Sequence, residues 1–316
     1  YEDIFTKQAT GTTFIAITGE VVKNQLVPVP PLAEQARIVN KLEKILPSIK
    51  AYGSREMVLS KLNSSFPEML KKSILQQAVM GKLVPQDEND EPASVLLDRI
   101  RAEKQALIKA GKLKKDKHES IIYRRDNSHY EKLDGVERCI DDEIPFEIPD
   151  SWEWTRLGNI GDWGSGATPS RTNPAYYNGD IPWLKTGDLN DGYIEYVPER
   201  ISRLALEKTS VRLNPVGSVL IAMYGATIGK LGIANIPLTT NQACCACFPL
   251  GGLFNEYLFF FLMSQKQAFI KQGEGGAQPN ISKEKIVSTL LPVPPISEQH
   301  RIVNKLRESL SLLKPM

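Results

Sequence analysis

Residues 27–42 read VPVPPLAEQARIVNKL and residues 291–306 read LPVPPISEQHRIVNKL. Four of the sixteen aligned positions differ, Val27/Leu291, Leu32/Ile296, Ala33/Ser297 and Ala36/His300; the other twelve are identical at a constant offset of 264 residues. A solenoid repeats every ~20–50 residues. A period this long excludes one and points to a duplicated unit of domain plus connector. A weaker match runs upstream, ITGEVVKNQL at 17–26 against ISKEKIVSTL at 281–290. The repeat therefore divides the chain. Residues 1–26 read as the C-terminal end of a first domain and 27–110 as a spacer with a long helix. Residues 111–147 read as a polar, proline-punctuated linker, 148–290 as a whole second domain, and 291–316 as the start of a distal helix. The chain reads as a window on a longer duplicated protein.

Pro30-Pro31 suits the entry to a helix. Glu34, and Glu298 in the second copy, fall in the first turn, where the helix dipole favours an acid. Ile38, Leu42, Ile45, Ile49 and Tyr52 then step by four, three, four and three, which is the spacing of a coiled-coil seam. Gly53 interrupts it, and a similar spacing resumes at Leu59, Leu62, Phe66 and Met69. Pro47 and Pro67 are expected to bend or restart the helix, and Gly81 to stop it. A helix over 32–64 would be about 50 Å long, and so long a seam needs a partner. The second copy repeats it at Ile302, Leu306, Ser309 and Leu313, so the simplest partner for the first helix is the second, from the same chain. Glu91-Pro92 opens a further helix carrying Leu96, Leu97, Ile100 and Leu107.

Domain 148–290 is turn-rich. It has β-like runs at 217–223, 228–236 and 240–248, and one helix from Asn255 to Gln272 with Gly273 as its stop. The expected fold class is α+β: a domain with an irregular mixed sheet joined to long coiled-coil spacer helices.

Thirty-nine Lys and Arg against 37 Asp and Glu leave a net charge of +2, so bulk charge argues neither for nor against nucleic acid. Residues 99–125 are strongly basic, which fits either a phosphate-contacting surface or a solvated helix end. Three of the four cysteines crowd into NQACCACFP as Cys244, Cys245 and Cys247. Without a C-x-x-C pair or a nearby histidine, zinc is disfavoured. In a strand these cysteines serve as small buried hydrophobes, and unpaired thiols fit a reducing cytoplasm. No apolar run reaches the ~20 residues of a membrane span.

Most candidate chemistry fails on spacing. NPAY at 173–176 is one residue from the N-P-P-Y loop of adenine methyltransferases, but Ala175 replaces the second proline and no glycine-rich cofactor loop follows a parallel strand. GATIGK at 225–230 is one residue short of a phosphate loop and lacks Ser or Thr after Lys230. No metal-ligand cluster appears, and His118, His129 and His300 are scattered. What remains is a set of small polar loops, GSGATPSR (164–171), LKTGDLNDG (184–192), MYGATIGK (223–230), LTTNQA (238–243) and EGGAQPNISK (274–283). Glycine permits close backbone approach, and the polar side chains can reach phosphates and base edges. Such loops are also ordinary surface turns and do not decide the matter alone; if they read DNA, the contacting candidates are Ser165, Thr168, Ser170 and Arg171 in the first loop, and Lys185 and Thr186 in the second. Tyr224, Thr227 and Lys230 follow in the third, Asn241 and Gln242 in the fourth, and Gln278, Asn280 and Lys283 in the fifth. Arg171 and Lys185 lead, as long cations able to reach guanine edges or phosphates.

Several segments together carry a family resemblance. They are LVPVPPLAEQARIVNKL with its copy, ILQQAVMGKLVPQDENDEPASVLLDRI at 74–100, IPDSWEWTRLGNI, GSGATPS, YYNGDIPWLKTGDL, PVGSVLIAMYGATIGKLGI, TTNQA and QPNIS. The chain resembles the specificity (S) subunit of type I restriction–modification systems. The resemblance implies two target-recognition domains, separated by helical regions that pair antiparallel and set the distance between two half-sites of double-stranded DNA. It implies docking of two methyltransferase (M) subunits and a restriction/translocase (R) subunit. It implies no catalytic residue here, with S-adenosylmethionine, ATP and Mg in the partner subunits. Two alternatives stay open: the specificity region of a fused restriction–methyltransferase enzyme, and a coiled-coil scaffold that binds protein.

Overall fold

The computed structural model describes residues 6, 9, 16–115, 120–273 and 279–313. They fall into two units, 1–66 and 67–316.

The first unit holds a short helix α1 (Gly19–Lys23) and the greater part of α2 (Leu32–Val79). Thr18 caps α1 by accepting the Val21 N–H at 3.4 Å. Helix α2 runs 48 residues without a break, so neither Pro47 nor Pro67 restarts it. At 1.5 Å per residue it is ~72 Å long. Each proline removes a single hydrogen bond from the ladder, and the turns on either side, rich in Leu, Lys, Glu and Met, carry the helix through. The expected seam residues Ile38, Leu42, Ile45, Ile49 and Tyr52 are exposed.

The second unit begins in the last turns of α2, where Leu75, Ala78 and Val79 enter its core. Gly81 ends the helix at φ +69°, and a Cβ there would collide with the Pro149 ring. Helix α3 (Ala93–Lys109) buries Ala93, Leu96 and Ile100 in the same core. The segment 111–147, expected as linker, contains an antiparallel meander: β1 (Ser120–Arg125), β2 (Ser128–Leu133) and β3 (Val136–Cys139). The polarity that suggested a linker belongs to an ion-pair cluster. Glu131 in β2 is buried and accepts from Arg156 Nε at 2.9 Å, Arg138 Nη2 at 2.6 Å and Ser120 Oγ at 2.6 Å. Burial alone would raise its pKa; these bonds outweigh it and hold the carboxyl at about 2.

Domain 148–290 is built on β4 (Glu153–Arg156), β5 (Gly161–Ser165), β6 (Tyr177–Leu184), β7 (Gly192–Ile194) and β8 (Arg200–Ile201). After α4 (Arg203–Lys208) come β9 (Val219–Ala222), β10 (Leu231–Ala234), β11 (Thr239–Thr240) and β12 (Cys244–Pro249). A five-stranded mixed sheet runs β5-β12-β9-β10-β7 and a three-stranded one β11-β6-β8. The central strands are buried on both faces. Val219, Ile221, Cys245 and Cys247 face one core, and Leu220, Ala222, Cys244 and Ala246 the other. That explains the continuous apolar runs VLIA and CCAC. It also turns neighbouring thiols to opposite faces, and burial raises their pKa, that of Cys245 to about 12.

The expected single helix 255–272 is two, α5 (Asn255–Ser264) and α6 (Lys266–Gly273). The Gln265 N–H, shared between the Phe261 and Leu262 carbonyls at 3.2 Å, closes the first of them. Helix α7 (Lys283–Val287), strand β13 (Leu290–Val293) paired antiparallel with β4, and helix α8 (Ile296–Ser311) complete the unit. Ile302 and Leu306, expected to face a partner helix, are buried with Val303 in this domain's own core. Among the described residues, no helix is long and apolar enough to cross a membrane.

Candidate nucleic-acid interface

Three antiparallel strands fix where the polar loops emerge. β12 pairs with β5 as Cys245↔Ser165 and with β9 as Cys244↔Ala222. The end of β5, the end of β9 and the start of β12 therefore lie at one edge of the sheet. Loop 166–171 leaves from the first, 223–230 from the second, and 241–243 enters the third. Backbone bonds tie the neighbours in: Ala167 N–H to the Thr240 carbonyl at 3.0 Å, Asn241 N–H to the Leu184 carbonyl at 2.9 Å, and Ile281 N–H to the Met223 carbonyl at 2.9 Å. Segments up to ~115 residues apart in sequence converge on one sheet end, as binding loops on a rigid scaffold do.

Arg171 and Lys185 meet on one carboxylate. Arg171 Nη1 lies 2.7 Å from Glu199 Oε1, and Lys185 Nζ pairs with Glu199 Oε2. Burial alone would raise the Glu199 pKa; the bonds from Lys185 and Arg171 outweigh it and hold it below the usual range. The Arg171 guanidinium also stands 4.4 Å over the Tyr177 ring and 5.3 Å from that of Trp183, and Lys185 Nζ is 5.6 Å from the latter. Trp183 is buried and donates its indole N–H to the Ala167 carbonyl at 3.0 Å, so the platform is anchored in loop 166–171 itself. Both cations keep about half their side-chain surface in solvent. The ring faces orient them, and their exposed sides keep N–H donors of the kind that phosphates and guanine edges accept. Asp188 accepts the Lys185 backbone N–H at 2.9 Å and closes the short turn bearing Thr186.

Thr168 Oγ1 donates to Gln242 Oε1, joining the first and fourth loops. Beside them the Asn241 Oδ1 is buried without a hydrogen-bond partner among the described residues. Ser165 and Ser170 are exposed, Ser170 sharing a 2.7 Å bond with Thr172. In the third loop Tyr224 is exposed and its backbone bridges to Asn280; Thr227 Oγ1 donates to the Tyr224 carbonyl at 2.8 Å. Lys230 and Lys283 are half-buried at the margins of the same edge. Gln278 lies outside the described residues. The structure thus gathers the described candidates at one sheet end, in two groups: Thr168–Arg171, Lys185–Thr186 and Asn241–Gln242, and Tyr224–Lys230 with Asn280–Lys283.

Reading the loops alone missed Glu199, Tyr177 and Trp183. Glu199 is delivered by pairing: β8 lies antiparallel to β6, and the Trp183 N–H donates to the Glu199 carbonyl at 2.8 Å. No local motif marks that contact. The aromatic pair, in contrast, was visible as YYNGDIPWL just ahead of Lys185. NPAY forms a single 3-10 turn, with Asn173 Oδ1 accepting the Ala175 N–H at 3.2 Å. Among the described residues no group of three His, Cys, Asp or Glu is placed to hold a metal ion.

Comparison with known proteins follows the same outline. The family model described as the type I restriction modification DNA specificity domain matches residues 149–311, from the opening of the domain to the last turn of α8. The type I restriction enzyme EcoAI specificity subunit of Escherichia coli is 28% identical over 334 aligned positions, which cover 90% of this chain and 53% of that one. The MjaIX specificity subunit of Methanocaldococcus jannaschii is 32% identical over 165 positions, covering 51% of this chain and 38% of that one. A crystal structure of the HsdS subunit from Thermoanaerobacter tengcongensis aligns at 20% identity over 98% of this chain and 61% of that one, with a TM-score of 0.43. The chain spans about half the length of the E. coli relative it matches. With the match running unbroken through the sheet, its polar edge and the repeated helix start, this chain belongs to the type I restriction modification DNA specificity family.

Proposed function

We propose that this chain is a DNA-sequence-recognition module of a type I restriction–modification complex, reading one half of a bipartite target with the loop edge of domain 148–290. The observation that carries it is the Arg171–Glu199–Lys185 group on its aromatic platform, inside the span matched by the family model. Base-edge readout needs long donors held at a defined angle, and two ring faces and one carboxylate hold these two.

Chemistry belongs to partners in this reading. Two methyltransferase subunits would dock against the exposed apolar residues of the spacer helix and supply S-adenosylmethionine. A restriction/translocase subunit would supply ATP and Mg. The chain itself holds the duplex and presents the half-site.

The test is selection from a randomised duplex library by the purified chain, followed by sequencing of the retained DNA. One enriched half-site is expected. Arg171→Ala and Lys185→Ala should each cost about 1–3 kcal/mol and relax one base position if they read base edges. Loss of affinity uniform across all sequences would make them phosphate contacts, and no enrichment with the unsubstituted chain would overturn the proposal.

A further inference from the structure

A groove of about 1680 Å³ opens on the flank of the recognition domain, between the segment that follows α3 and the segment that carries α7. One wall carries Lys112, Lys114 and Lys115, all exposed; the other carries Arg212, Lys283 and Lys285. The groove is also lined by carboxylates, but three of these are already matched by arginine. Glu131 and Glu143 bind Arg138 and Arg156, and Asp162 binds Arg212 at 2.9 Å. Glu284, the fourth acid of the lining, is engaged as well. Of the groove's six lysines, Lys104 is buried and donates to the Gly158 carbonyl at 2.7 Å; the other five form no ion pair with a carboxylate among the described residues, and Lys285 Nζ donates to the Gln272 carbonyl at 3.0 Å. Ammonium groups gathered in one groove repel one another, and an extended polyanion lying in it would relieve that repulsion. Lysine serves phosphate as a point charge and carries no base preference.

The groove runs into the loop edge. The Arg212 guanidinium packs so closely on Gly164 that a Cβ there would collide with it, and Gly164 adjoins Ser165, where the first polar loop begins. Lys283 follows Asn280, whose backbone bridges to Tyr224. A duplex with its base edges at the loops has its backbone carried towards these lysines. We propose that the groove is a second, sequence-independent contact that holds backbone phosphates of the bound duplex outside the half-site being read. The inference rests on the loop edge being the reading face.

The experiment compares full chains carrying Lys112→Ala/Lys114→Ala/Lys115→Ala, the single change Lys285→Ala, and a control triple Lys41→Ala/Lys44→Ala/Lys50→Ala on the exposed face of α2. Fluorescence anisotropy reads binding to a labelled duplex of arbitrary sequence and to the selected half-site across a salt series. Each groove variant should weaken both duplexes by the same factor, about 10-fold for the triple, and lower the salt slope by about 0.9 for each phosphate no longer neutralised. The enriched half-site should stay the same. An unchanged slope in both groove variants, or an equal loss in the control triple, overturns the groove while leaving the reading loops in place. Failure of the unsubstituted chain to bind DNA removes both.

Discussion

The two copies of the repeated junction share twelve of sixteen residues and differ in almost everything beyond local geometry. Locally they agree. Gln35 Nε2 donates to the Pro30 carbonyl at 2.8 Å and Gln299 Nε2 to the Pro294 carbonyl at 2.9 Å. Thr18 caps α1 through the Val21 N–H, and Ser282 caps α7 through the Lys285 N–H. Around these matched helix starts, burial diverges. Val29, Ile38, Val39 and Leu42 are 79%, 44%, 51% and 48% exposed, whereas Val293, Ile302, Val303 and Leu306 are 0%, 0%, 0% and 1%. Glu34 is exposed; Glu298 is fully buried and accepts the Trp152 indole N–H at 2.8 Å and the Gln86 amide at 2.6 Å. Residues 290–293 form a strand on β4, and 26–29 form none. Bonds that close within five residues are written by the local sequence. A strand and a core position need surface from elsewhere.

The largest test of that contrast is apolar truncation. Ile302→Ala should cost about 2–5 kcal/mol, because it opens a cavity in a packed core. Ile38→Ala, the same residue in the other copy, should stay within ~0.5 kcal/mol. Chemical denaturation of each chain followed by circular dichroism reads both. Equal losses would mean that Ile38 is covered in solution, and the contrast would fail.

The acid position gives the next effect. Trp152→Phe keeps an aromatic ring but removes the N–H from a buried carboxylate, and should cost about 1–3 kcal/mol; Glu34→Ala should be silent within ~0.5 kcal/mol. The same site titrates. Burial lifts the Glu298 carboxyl above its usual range, despite the bonds from Trp152 and Gln86. The folded chain therefore holds that proton more tightly than the unfolded one, so the buried charge costs stability above the folded pKa. That cost is relieved as pH falls through it. The unsubstituted chain should gain stability relative to Glu298→Gln as pH falls from neutral towards the ordinary glutamate range. Parallel pH profiles for the two would show that Glu298 is not desolvated.

The smallest expected difference falls where the copies agree. Thr18→Ala and Ser282→Ala each remove one helix cap, worth about 0.5–2 kcal/mol. Amide exchange at Val21 and Lys285 should accelerate by similar factors in the two variants. Protection lost at one cap and retained at the other would refute the view that both helix starts are locally encoded.

Much of the candidate site was legible because its parts are short and polar. Loops rich in Gly, Ser, Thr, Asn and Gln stand out between apolar strands, and the described candidates do emerge at one sheet edge. Glu199 was not legible, because only the β6–β8 register places it under Arg171 and Lys185. The meander at 120–139 was hidden for a related reason. Its one buried anchor is Glu131, whose arginine partners include Arg156 from β4, so in sequence it reads as a charged linker.

By itself the sequence determined the duplicated organisation, the helix starts and caps, the buried cysteine strand and the loops that carry polar chemistry. Each follows from residues within a turn or a strand of one another, or from direct repetition. Tertiary structure alone decided which copy of the junction is buried, that Glu298 and Glu131 lie inside, and that Arg171 and Lys185 share one carboxylate. Burial and ion pairing depend on surfaces brought together across tens to hundreds of residues, and two nearly identical segments met different surroundings.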